Sequence, residues 1–114
     1  MMTAHKRVCT ERIIIKNLIQ TMAAHGWKVD HIWDGGEEVR SDNLDAQLDT
    51  VFTVDESHII FENVAGRQQW VSLILGNGFD VISDYSYALH SGDNFGSVML
   101  KHVNPFVKAL EANQ

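Results

Sequence analysis

The sequence predicts an α+β domain with a mostly antiparallel sheet of about four strands, and three observations carry that prediction. Apolar residues recur at helical spacing from Ile14 to Met22, the run 58–86 reads as three strands joined by two glycine-marked turns, and the tail returns to helical spacing after Ser97. The expected order is helix, strand, helix, three-stranded meander, helix. Both terminal helices are expected on one face of the sheet.

In the first helix Ile14, Ile15, Leu18, Ile19 and Met22 form an apolar stripe, while Arg12, Lys16, Asn17, Gln20 and Thr21 take the remaining positions. Thr10 would cap a late start, whereas Ala4, Val8 and Glu11 extend the pattern back toward Thr3. The end is better marked. Gly26 follows His25 and suits the left-handed position after a helix, with Trp27 packing back as the next apolar residue.

Trp27 to Trp33 alternates as a strand, with Trp27, Val29, His31 and Trp33 on one side and Lys28, Asp30 and Ile32 on the other. Asp34-Gly35-Gly36 then turns the chain. Leu44, Leu48, Val51 and Phe52 predict a helix over 42–53, capped by Ser41 or Asp42, although residues 50–54 also have strand character. Residues 55–57 lead into the meander.

Asn77-Gly78 tolerates positive φ at both positions and predicts a two-residue type I′ hairpin. Counting back from it pairs Ile74 with Val81, Ser72 with Ser83 and Trp70 with Tyr85 on one face. The other face pairs Leu75 with Asp80, Leu73 with Ile82 and Val71 with Asp84. The strand Gln69–Leu75 is apolar on both faces and so central, and the strand bearing Asp80 and Asp84 lies nearer an edge, where carboxylates deter pairing with another chain. After a loop over 90–96, Met99, Val103, Phe106 and Leu110 keep one helical phase across Pro105. Either one kinked helix or two helices, the second capped by Asn104, fits that phase.

The apolar second face of the central strand, with Trp27 and Trp33, needs cover from the middle helix, a partner protein or a second copy in a homodimer.

At 114 residues, with one proline and no repeat, the chain is expected to form one domain burying roughly two thirds of its unfolded surface. A formal net charge of −6 opposes direct binding to nucleic acid, which needs clustered cations, and to anionic membranes. Cys9 is the single cysteine, so no internal disulfide forms and a cytoplasmic location is expected. Glu11, Arg12, Lys16 and Asn17 break any signal-peptide core, and no stretch approaches a membrane span.

Specific chemistries fit poorly. Gly76-Asn77-Gly78 follows an apolar strand, but Val81 stands where a dinucleotide fingerprint needs its third glycine. Asp80 and Asp84 would lie ~13 Å apart on a strand, beyond the about 5–9.5 Å of glycosidase carboxylate pairs. His31 with Asp34, and His90 with Asp93, lack diagnostic metal spacing, and in the Asp30–Asp34 run Ile32 occupies a position that a calcium loop gives to a ligand. No metal or cofactor is therefore expected. Cys9 reads as a small buried helix residue, and Ser57-His58 adjacency does not make a triad.

The leading functional expectation is a small acidic accessory or regulatory protein that binds another protein without catalysis. Its surface is placed at Trp33, Asp34, Glu37 and Glu38, where an aromatic residue among carboxylates can anchor a basic partner. The alternatives are a ligand or catalytic site at Asp80, Asp84, His90 and Asp93, and an acidic mimic of nucleic acid that inhibits a DNA-binding enzyme.

Overall fold

Thr3 opens the first helix, α1 (Ala4–Ala24), by accepting a hydrogen bond from the Lys6 N–H at 3.2 Å. The computed structural model describes residues 2–86 and 93–113. Thr10 therefore lies inside α1 and caps nothing. Gly26, at φ +92°, ends the helix: its N–H reaches the Ala23 carbonyl and the Trp27 N–H reaches the Met22 carbonyl. That paired closure turns Trp27 back into the core, where it is 1% exposed. Cys9 faces solvent instead of the core, with its Sγ 3.8 Å from His5 Nε2.

Among the described residues five antiparallel strands follow: β1 (Lys28–Trp33), β2 (Glu38–Val39), β3 (Glu56–Glu62), β4 (Gln68–Ile74) and β5 (Ile82–Tyr85), in the spatial order β2-β1-β3-β4-β5. The strand beyond the expected four is β2. Two residues are too few to carry an alternating pattern, so it was invisible to periodicity. Between β2 and β3 lies α2 (Leu44–Val51), capped by Asn43 through the Ala46 N–H rather than by Ser41 or Asp42. Residue Thr50 belongs to this helix, and Phe52 ends it.

Two bulges reset the alternation. In β1, Val29 faces Phe61 and His31 faces Ile60, leaving Asp30 as the extra residue. The phase reverses there, so Ile32 turns into the core and His31 and Trp33 turn outward. In β5 the expected Leu73–Ile82 pair holds, but Ser83 is extra, and Ser72 meets Asp84 while Val71 meets Tyr85. The bulge carries the Asp84 carboxylate out to solvent and brings the Tyr85 ring to the core side.

The β4–β5 connection is not a type I′ hairpin. Asn77 has φ −92°, Gly76 and Gly78 have φ +97° and +62°, and a 3-10 turn takes up Gly78–Asp80. Its organiser is Glu11 of α1, a side chain 1% exposed, whose Oε2 accepts the N–H groups of Gly76 at 2.8 Å and Gly78 at 2.9 Å. A distant helix therefore shapes the loop.

Next in order after β5, α3 (Phe95–Val98) runs through a π-helical turn (Met99–Val103) into α4 (Asn104–Ala112). Asn104 has helical φ and ψ, so it caps nothing, and the chain is one helix with a widened turn just before Pro105. The widening accommodates a residue that lacks an N–H and would crowd the preceding turn.

Ile14, Ile15, Leu18 and Met22 of α1 form one buried cluster with Leu48 and Val51 of α2, Ile59 and Phe61 of β3, Val71 and Leu73 of β4, and Phe95 and Val103 of the last helical run. All the helices among the described residues thus cover the same sheet face, the terminal ones as expected. The middle helix does not cover the second face. No helix among the described residues is long and apolar enough to cross a membrane.

Candidate functional site

With every helix on one side, the register defines what the other side of the sheet displays. One row across all five strands runs Glu38, Trp33, His58, Ser72, Asp84, and the next runs His31, Ile60, Trp70. Directly opposed residues in such rows have Cβ atoms about 4.5–5.5 Å apart. His58 lies between the two indoles, with its ring edge-on to Trp70 at a centroid distance of 6.0 Å. Trp33 is 40% exposed and Trp70 38%, whereas Trp27, Phe61 and Phe95 are sealed in the core. The result is an aromatic strip, Trp33–His58–Trp70, held on three adjacent strands.

The strip's flank is ordered by the β1 bulge. Asp30 Oδ2 accepts from His31 Nδ1 at 2.7 Å and from the Arg40 guanidinium at 2.9 Å. These contacts, the histidine foremost, hold the Asp30 carboxyl below the usual carboxylate range. Arg40 also donates to Glu38 at 3.1 Å, and its two carboxylate partners, Asp30 first, raise its pKa further. His31 Nε2 lies 3.8 Å from Glu38, so Asp30, His31, Arg40 and Glu38 form a ring of opposite charges beside Trp33 when the imidazole is protonated.

The four residues expected at a partner surface divide by role. Trp33 and Glu38 are cross-strand neighbours on the open face. Asp34 is engaged in the turn: its Oδ1 accepts the N–H groups of Glu37 at 2.8 Å and Gly36 at 3.0 Å, which hold its carboxyl below the usual range. Glu37 is exposed in that turn. His58, Ile60 and Trp70 complete the surface and were not singled out as site residues, because only the register brings them beside Trp33.

The alternative residues have separate surroundings. Asp80 lies in the 3-10 turn and lines a shallow cleft of about 290 Å³ with Lys108 and Glu111. Asp84 sits on the open face and accepts the Tyr85 N–H. Asp93 accepts from Gln69 Nε2 at 2.7 Å and from the Phe95 N–H, and lies 3.6 Å from the Arg67 guanidinium. Gln69, which holds Asp93, stands near the start of β4 and Asp80 follows the strand's far end, so the strand's length separates Asp93 from Asp80. His90 lies outside the described residues. Among the described residues no group of three or more His, Cys, Asp or Glu side chains is placed to hold a metal ion.

Compared with protein-family models, curated proteins and solved structures, the chain matches none of them.

Proposed function

We propose that this protein acts by docking another protein onto the open face of its sheet, as an accessory or regulatory component without chemistry of its own. The observation that supports this reading is the aromatic strip Trp33–His58–Trp70. Two indoles remain more than a third exposed on paired strands, although the same chain buries Trp27 to 1%. Removing apolar ring area from water contributes about 25 cal/mol per Å². Rings already held by a sheet lose little conformational entropy on contact, which is the setting in which tryptophan dominates interface energetics.

The test is a photo-crosslinking amino acid placed at Trp70, with a control at Lys16, which is exposed on α1. In the native cells the Trp70 position should give a discrete crosslinked species that disappears in Trp33→Ser, while the Lys16 position gives none. Equal capture from both positions, or capture indifferent to Trp33, would refute docking on this face.

A further inference from the structure

We infer that the occupant of the open face is a basic, arginine-bearing segment of the partner, with a guanidinium seated against Trp33 between Glu38 and the far carboxylate Asp84. The inference rests on the docking proposal above and adds the chemistry of what docks. It follows from how charge is distributed along the strands.

The end of the face at which β1 finishes and β3 begins carries Glu38, Glu56 and Asp84. Its cation, Arg40, is already bound to Asp30 and Glu38. Lys28 sits at the opposite end of the face, directly across from Glu62. Trp33 therefore lies in a negative field, within a molecule of net charge −6. A second copy of the chain would bring another acidic molecule to that surface, whereas a cationic segment complements it.

Arginine suits the site better than lysine for a geometric reason. A guanidinium is planar, so it can lie on the indole face while its edge donates to a carboxylate in the same plane. Trp33 and Glu38 are direct cross-strand neighbours on one side of the sheet, which supplies both contacts at adjacent positions. Asp84, three strands along the row from Trp33, and Glu56, one row beyond, can receive further basic residues of an extended segment.

The experiment titrates the whole protein with short synthetic peptides of equal length in which glycine alternates with arginine, with lysine or with glutamate. Tryptophan emission reports occupancy, since Trp33 and Trp70 face solvent and Trp27 does not. The arginine peptide should shift the emission saturably and bind about tenfold more tightly than the lysine peptide. Glu38→Gln with Asp84→Asn should weaken it by about tenfold, and added salt should weaken it too. A glutamate peptide that binds as well as the arginine peptide would overturn the inference, as would binding unmoved by salt and by the two carboxylate substitutions.

Crosslinking from position 70 separates this inference from the reading beneath it. Capture that depends on Trp33 but ignores Glu38→Gln and Asp84→Asn would leave docking intact and discard the basic occupant. A crosslink to a second copy of the chain would also discard it. No Trp33-dependent crosslink at all would remove both.

Discussion

Glu11 carries more of this fold than its place in the sequence suggests. It stands on the apolar side of α1, is 1% exposed, and holds two backbone N–H groups of a loop more than sixty residues away. Removing it leaves both donors without their carboxylate, so Glu11→Ala should lower unfolding free energy by about 2–4 kcal/mol. Glu11→Gln keeps a carbonyl oxygen for both donors and should cost less than half as much, a difference readable from urea denaturation. Equal losses in the two variants would contradict the clamp. Asp30 offers a second residue-level prediction. Its folded pKa lies below the ordinary 3.8, chiefly through His31, so its contribution is present above that value and is lost as pH falls through the folded value. Asp30→Asn should flatten the loss of stability in this acid range, followed by denaturation midpoints against pH; an unchanged acid limb would contradict it. Neither role was legible beforehand, because a glutamate on a helix and an aspartate in an alternating strand look solvated until the tertiary partner is known.

At the scale of elements, local signals hold where the chain itself supplies the cause. The stripe Ile14–Met22 gave α1, Gly26 with Trp27 gave its closure, and the apolar strand Gln69–Leu75 proved to be the interior strand β4, with β5 at the edge. Alternation failed at Asp30 and Ser83, where a bulge adds one residue and exchanges the faces of everything beyond it. The turn at Asn77-Gly78 misled for another reason: a glycine pair signals freedom to turn, and Glu11 decides which turn forms. Gly76 makes this testable. No heavy atom lies within 4 Å of where a Cβ would be built on it, yet its φ is +97°. Gly76→Ala should therefore cost about 1–2 kcal/mol through backbone strain alone. A neutral effect would show that the loop relaxes freely around the Glu11 clamp.

The whole molecule is a sheet with one face built into the core and the other left to solvent. Its α+β class was legible from the order of the patterns; its one-sidedness was not, because no local signal says which face a helix will cover. The same limit applies to the candidate site. Trp33 and Glu38 were identifiable as an aromatic residue beside acids, but His58 and Trp70 join them only through the register of β1, β3 and β4. If the strip serves docking and not folding, Trp33→Ser should change stability by less than about 1 kcal/mol while abolishing association. Docking on the open face is tested most directly by the crosslink from position 70, compared between the otherwise native chain and Trp33→Ser, with the thermal melts measured alongside. Docking on this face requires one discrete crosslinked partner that vanishes in Trp33→Ser while the melt stays in place. A crosslinking pattern unchanged by Trp33→Ser would show that the open face is not where this protein meets its partner.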